Sequence, residues 1–414
     1  MERLHVAFFN RSFHPEPTAT GQLLAELCEG LANGHGWRVT VVAGWPAGLP
    51  ARNGRGLLLR REPHGEGVQV WRARGTRFSK RRAAGRFANY VSYFASACWA
   101  GQRLPRPDVV AALTDPPVVG LAAWLAARRA RAPFVFCVKD VFPEVGRLLE
   151  DFRSETVDRA LDATTRFLLR AADRVVALGE TMRTRLVAKG AHPARVVVIP
   201  DWADCEAITP GPKRNPLSEA WGLADRFVVM HSGNLGLGQG LETLVDAAAR
   251  LEDLEDLVFA FVGDGVKRSA LEARARQLGL RNVRFLPRQP KDRLRDLFAA
   301  ADVFVVSLRA GLSGYIVPSK LYGILAAGRP YIAATDDDCE AAILARARGC
   351  GLVARPGDAD ELAARIRTLY ADPALRVWMG ENARRAGLDF DRRRAVRAYH
   401  DLFRDLVRST GRTP

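Results

Sequence analysis

Residues 227–249 read FVVMHSGNLGLGQGLETLVDAAA: a short apolar run, a loop dense in glycine, then a helical pattern. The run Phe227–Ser232 suits a strand buried on both faces, and Leu241–Leu251 suits a helix. Gly233, Gly236, Gly238 and Gly240 permit tight turning and close backbone approach, and the helix that follows offers its positive end. Strand, glycine turn and helix in succession form the repeating unit of parallel α/β sheets. Such a loop is also a place where phosphate is held. A purely structural turn is the competing reading, because a glycine-rich loop alone is a weak signal. No Gly-Lys-Ser/Thr follows, so this is not a P-loop, and the spacing is not a dinucleotide fingerprint.

A second stretch, IVPSKLYGILAAGRPYIA at 316–333, raises the same question. In the plain reading Pro318 starts the helix, Ser319 caps it and Lys320 is solvated. In the other, the free amides of this turn face an anion and Lys320 adds a full charge. Two helix starts after strands of one sheet, aimed at one diphosphate and joined by a lysine, make a site hypothesis.

Outward from these stretches, strand-like runs alternate with helical patterns along the whole chain. The first series is Leu4–Asn10, Arg38–Ala43, Val68–Arg72, Val109–Leu113, Phe134–Val138, Arg174–Ala177 and Val196–Ile199. The second runs from Phe227–Ser232 through Val258–Val262, Val283–Leu286, Val303–Ser307, Tyr331–Ala334 and Gly351–Ala354. Between the two lies a stretch rich in Pro, Gly and polar residues, Asp201–Asp225. The expected fold class is α/β, with two doubly wound parallel-sheet domains facing across a cleft. The expected divisions are an N-terminal domain over 1–205, a C-terminal domain over 206–390, and a last helix over 391–414 packing back on the first domain. A length of 414 residues accommodates two such cores.

Composition narrows the class. Hydrophobic residues at 48% and charged residues at 26% are ordinary for a globular chain. The net charge of +16 is not. From Gly67 to Pro107 there is no Asp or Glu, while Arg72, Arg74, Arg77, Lys80, Arg81, Arg82, Arg86, Arg103 and Arg106 fall within it. A field of that sign draws phosphates, nucleic acid or an anionic bilayer. No helix-turn-helix, finger or stacking platform accompanies the charge, so nucleic acid is not the expected partner. The six cysteines are scattered, without a CxxC pair, which argues for a reducing compartment and against a structural metal. MERLHVAFFN leads straight into a strand pattern with no signal-peptide character. The longest charge-free aromatic stretch, Phe87–Gln102, falls short of the roughly 20 apolar residues of a spanning helix. A cytoplasmic protein, peripheral on the inner face of the cell membrane, is expected.

Other candidates carry two readings each. Asp140 and Glu144, in CVKDVFPEVG, act as base, orient a hydroxyl or only cap a turn. His14 and His231 stand near the proposed cleft, with solvation or a satisfied hydrogen bond the expected fate. Asp336, Asp337 and Asp338 are expected to cap the next helix rather than hold a metal, while Glu340 stands within reach of a sugar. In RFSKRRAAGRFANYVSYFASACW, the residues Phe87, Tyr90, Val91, Phe94 and Ala97/Cys98 recur at helical spacing and are expected to pack inward. Alternatively Arg77, Lys80, Arg81, Arg82 and Phe87 lie on a bilayer beside a lipid-linked acceptor.

At this point the residues carry a resemblance. FVGDGVKRSALEARARQLGLRNVRFLPRQPKDRLRDLFAAADVFVVSL, followed by VPSKLYGILAAGRPYIA, resembles the nucleotide-sugar domain of family-four glycosyltransferases of the GT-B fold. FHPEPTATGQLLAELCEGLANGHGWRVTVV is similar to their N-terminal strand-loop-helix, and VVALGETMRTRLVAKG with VVVIPDWAD to their interdomain crossing. DVFPE is similar to an element of the capsule, colanic-acid and O-antigen type. The resemblance implies a nucleotide-diphosphate sugar donor, foremost a UDP-sugar, contacted by Gly233, Asn234, Gly236 and Gln239 in the glycine loop and by Pro318, Ser319 and Lys320. It places Leu286 and Arg288 at the nucleobase, Thr20 and Gly21 at the sugar or diphosphate, and Asp140 near the acceptor. Lys320 and Asp140 are the candidate catalytic residues. Asn234 and Gln239 stand where many members carry arginine and lysine; Tyr315 and Gly323 stand where the family's paired glutamates fall, so the ribose and sugar contacts of those glutamates are not carried over.

The expected activity is metal-independent transfer, with retention, to a hydroxyl acceptor such as a lipid-linked saccharide in cell-surface polysaccharide synthesis, with no cofactor. Two alternatives stay open: a nucleotide-sugar 2-epimerase of the same fold, and a non-catalytic nucleotide-sugar binder. Sugar interconversion without acceptor marks the first, and binding without transfer or hydrolysis the second.

Overall fold

The computed structural model describes residues 3–16, 18–46, 59–76, 78, 83–149 and 154–410, with the side chains at 83, 84, 86 and 87 outside that set. Two compact units form, Met1–Pro200 with Arg393–Pro414, and Asp201–Arg392.

In the first unit the strands are β1 (His5–Phe9), β2 (Arg38–Gly44), β3 (Leu59–Pro63), β4 (Val68–Ala73), β5 (Val109–Ala112), β6 (Phe134–Cys137), β7 (Arg174–Ala177) and β8 (Val196–Val198). They make one sheet in the order β3-β4-β2-β1-β5-β6-β7-β8. Every residue of β1, β5 and β6 is buried, as strands covered by helices on both faces must be. The sheet is not wholly parallel. Strand β3 runs antiparallel to β4 at the edge, and its sequence, LRREP, has no apolar alternation to announce it. None of its residues is buried, and pairing holds it in place: Glu62 faces Val70 across the ladder and binds Arg72 Nε at 2.7 Å.

The helix Arg392–Ser409 belongs to this unit and turns Ala395, Val396, Tyr399, Phe403, Leu406 and Val407 inward at helical spacing. Phe403 meets Phe8 edge-on at 5.9 Å, and Trp37 Nε1 donates to His400 Nδ1 at 2.9 Å. Each such large buried side chain contributes about 1.5–3 kcal/mol.

The helix Ala83–Gly101 forms, but the expected apolar stripe has the wrong phase. Tyr93, Ala97 and Ala100 face the core, Tyr90 and Phe94 are half-buried, and Val91 is 47% exposed. A hydrogen bond from the Tyr93 hydroxyl to the Val42 carbonyl (3.0 Å) marks the inward face, so a phenol rather than the most apolar residues chose the side.

The second unit contains β9 (Phe227–Ser232), β10 (Leu257–Val262), β11 (Val283–Leu286), β12 (Val303–Ser307), β13 (Tyr331–Ala334) and β14 (Gly351–Ala354). All pairs are parallel, in the order β11-β10-β9-β12-β13-β14. The chain builds outward from β9 in one direction, then returns to β12 on the other side of β9. Loops leaving the carboxyl ends of β9 and β12 therefore diverge, which opens the crevice where doubly wound sheets take ligands.

Among the described residues no helix is long and apolar enough to cross a membrane. All six cysteines are free, and all but Cys98 are buried.

Candidate functional site

The site is built at the switch point between β9 and β12. Gly233, the first residue beyond β9, sits at φ 123°, a region that glycine enters freely and other residues do not. Its carbonyl presses on Gly263, the first residue beyond β10, so closely that a Cβ there would stand 1.9 Å from the oxygen. Gly263 is at φ 145° and its amide donates to the Leu286 carbonyl at 3.2 Å. The turns after β9, β10 and β11 are thereby locked edge to edge. The turn after β12 joins them: the Arg309 amide donates to Gly238 at 2.8 Å.

Lys320 opens the helix Lys320–Ala326 and reaches back over β9. Its Cε and Nζ lie 3.7 Å from where a Cβ on Gly233 would be, so the lysine and the glycine turn share one spot. Nζ is 2.8 Å from Nε2 of His231, on β9. His231 is fully buried, and burial first, then Lys320, hold its imidazole well below the ordinary 6.5. Lys320 keeps part of its surface in solvent, yet loss of hydration brings its amine down to about 7.

The plain reading of the 316–333 stretch fails on two counts. Ser319 caps nothing with its side chain, and Lys320 is not simply solvated. The longer helix Glu242–Ala249 also starts without a side-chain cap. Uncapped amides and a cation at one end of one sheet suit an anion.

Gly233 and Asn234 are exposed at this point. Gly236 and Gln239 are brought to the same loop but are bonded to each other, the Gly236 amide donating to Gln239 Oε1 at 3.0 Å. Their part is to shape the turn. Leu286 is tied in through its carbonyl, and Arg288 is exposed beyond β11. Pro318 is buried just ahead of the lysine helix. At Gly323, one turn beyond Lys320, a Cβ would stand 2.9 Å from Cζ of Phe298, whose ring closes that face of the helix.

In the first unit, Thr20 and Gly21 lie in the first turn of the helix Ala19–Glu29, where Thr18 Oγ1 accepts from the Gly21 amide at 3.3 Å. Asp140 follows β6, its amide donating to Thr114 Oγ1 at 3.2 Å with the side chain partly exposed. Glu144 is engaged elsewhere: the buried Lys189 amine lies 2.6 Å from both Glu144 and Asp162. Arg72 is also withdrawn from the basic field, 3% exposed and paired to Glu62. Arg77, Lys80, Arg81 and Arg82 lie outside the described residues, as does the side chain of Phe87.

The three aspartates do not cap the helix Glu340–Arg348, whose start has no side-chain cap. Asp336 accepts from the Gly311 amide at 2.8 Å and bonds Ser313, while Asp337 pairs with Arg346. Among the described residues no cluster of three or more His, Cys, Asp or Glu is arranged for a metal ion.

Sequence reasoning placed His231 near the cleft with a satisfied hydrogen bond as one expected fate, but did not pair it with Lys320, and it passed over Gly263 and Ser307. VGDG contained the Gly263 signal. The Ser307 hydroxyl, at the end of β12, is buried without a hydrogen-bond partner among the described residues, and no local pattern marks it.

Two doubly wound units, the second with a phosphate-suited switch point, define the class of the GT-B glycosyltransferases. Residues 18–202 match the family model described as a glycosyl transferase 4-like domain, and residues 214–386 match glycosyl transferases group 1. The chain is 30% identical over 346 residues to the putative colanic acid biosynthesis glycosyl transferase WcaI of Escherichia coli (strain K12), spanning 78% of this chain and 82% of that protein. It is 31% identical over 271 residues to the probable glycosyltransferase WbjE of Pseudomonas aeruginosa, spanning 63% and 66%. Among solved structures, sucrose-phosphate synthase from Thermosynechococcus elongatus is similar at TM-score 0.80 and 19% identity, over 98% of this chain and 100% of that one. Anabaena HepE, in complex with UDP and glucose, gives 0.74 at 20% identity over 97% and 100%. The chain belongs to the group 1 glycosyltransferases, with a 4-like N-terminal domain.

Proposed function

We propose that the protein transfers a sugar, with retention and without an obligatory metal, from a UDP-sugar to a hydroxyl of a lipid-linked saccharide during cell-surface polysaccharide synthesis. The single observation that carries this is the Lys320 amine beside Gly233 at the β9–β12 switch point. The UDP held by HepE and the colanic-acid pathway in WcaI's description support the donor and setting.

As the glycosidic bond stretches, negative charge grows on the diphosphate. Lys320 and the amides of Asn234 and Ser319 stabilise it in place. The departing phosphate oxygen takes the acceptor's proton on the same face, so no protein nucleophile is needed, and Asp140 orients the acceptor. Leu286 and Arg288 hold the base, and Thr20 and Gly21 approach the donor from the N-terminal domain. Residues 1–205 are the acceptor domain, 206–390 the donor domain and 391–414 the returning helix. The basic residues Arg77, Lys80, Arg81 and Arg82, with Phe87, bring the enzyme to the cytoplasmic face of an anionic membrane.

Thermal shift with UDP, GDP and ADP tests the donor site, since a ligand at 100 times its Kd stabilises by about 2.7 kcal/mol. UDP is expected to raise the melting temperature, and no response to any of the three would refute the site. NMR of the product anomer, from membrane-extracted acceptors, tests retention.

A further inference from the structure

We propose that His231 is a positioning residue that holds the Lys320 amine at the glycine turn, the two nitrogens sharing one hydrogen-bonding proton, and that the amine takes up its charging proton from solvent when an anion arrives. Only the identity of that anion rests on the proposed donor site.

The geometry requires sharing. At 2.8 Å, one nitrogen must donate and the other accept, so the pair cannot carry a proton on both facing atoms. His231 has nowhere to turn: it lies on β9, wholly buried, in register with Phe261 on β10. The backbone at Asn234 and Val305 favours the protonated ring, but less than burial and Lys320 oppose it. Lys320 is the charged group facing it, and the Phe261 ring, 6.5 Å away, adds no charge. On the lysine's side stand His231 and the Gly233 turn, and among the described residues no carboxylate pairs with its amine. A long, flexible side chain is thus fixed by one neutral acceptor, with no anion of the protein's own to satisfy it. An incoming anion would complete the charge balance. The amine titrating at about 7 agrees with this, burial being the cause.

The experiment is trace acetylation of the full chain with acetic anhydride between pH 5.5 and 11, read by mass spectrometry of the Lys320 peptide against exposed Lys291. Wild-type Lys320 is expected to reach half-reactivity near pH 7, about three pH units below an ordinary lysine amine. His231→Gln keeps an acceptor and is expected to leave that profile within about half a pH unit. His231→Leu removes it, so the amine swings to water and the profile rises by at least about one pH unit. Lys320 titrating at the ordinary lysine value of 10.5 in the wild type would overturn the proposal, and so would a folded Leu variant that titrates like the wild type. If neither variant folds, the wild-type profile alone decides. A UDP arm separates the two readings. Protection of Lys320 by UDP supports both, whereas the expected titration without protection keeps the pairing and removes the donor assignment.

Discussion

Replacing Lys320 by methionine should stabilise the ligand-free protein while disabling it. The amine titrates at about 7 in the fold against an ordinary 10.5. Between those values the unfolded chain binds more protons than the native one, so native stability rises with pH across that window. At pH 6 the charged amine disfavours folding by about 4–5 kcal/mol, at roughly 1.4 kcal/mol per pH unit. Partial exposure and screening reduce this to about 1–3 kcal/mol. Methionine keeps the stem and removes the charge, so Lys320→Met should raise the melting temperature at pH 6 by about 3–10 °C. By pH 9.5 native Lys320 is neutral, only the unfolded chain gains from the charge, and the advantage should shrink by about two-thirds. The assay is paired melts of both proteins across pH 6–9.5 without nucleotide. A variant less stable at pH 6, or an advantage that does not change with pH, would refute the account of a desolvated amine.

The same variant, supplied with donor and acceptor, should lose about 10² or more in kcat/KM, because one preorganised donor to developing charge is worth about 2.7–4 kcal/mol. Gly263→Ala should destabilise by several kcal/mol and abolish UDP binding, because the new Cβ would strike the Gly233 carbonyl at 1.9 Å in a left-handed backbone position. Urea denaturation and nucleotide titration check it. Lys189→Met should lower stability by about 3–5 kcal/mol at neutral pH, since Glu144 and Asp162 lose the cation between them. Part of that loss should be recovered in the Lys189→Met/Glu144→Gln double variant, measured in the same urea series.

The strands were legible because their apolar runs are local, and both glycine and Pro-Ser-Lys stretches advertise a helix start without its usual cap. What escaped were features made by pairing across long separations. His231 and Lys320 are 89 positions apart, and the sheet register, not any motif, brings them together. Strand β3 escaped because an edge strand needs one partner and little hydrophobicity. The phase of the Ala83–Gly101 helix was misjudged because tyrosine counts as polar and apolar at once, and Tyr93 took the core position with its hydroxyl satisfied. The aspartates after β13 looked like caps by position, whereas Asp336 instead braces the turn at Gly311. Gly263 lay in plain view but gained meaning only when its neighbour's carbonyl was placed against it.

Phe298 against Gly323 constrains how this enzyme can change. A glutamate introduced at 323 by itself would bring its stem to within 2.9 Å of the phenyl ring, which would have to shift. Trimming Phe298 first leaves a void in a packed wall, at a cost of about 3–5 kcal/mol. A carboxylate at this position therefore calls for a paired replacement, glutamate at 323 together with a smaller side chain at 298.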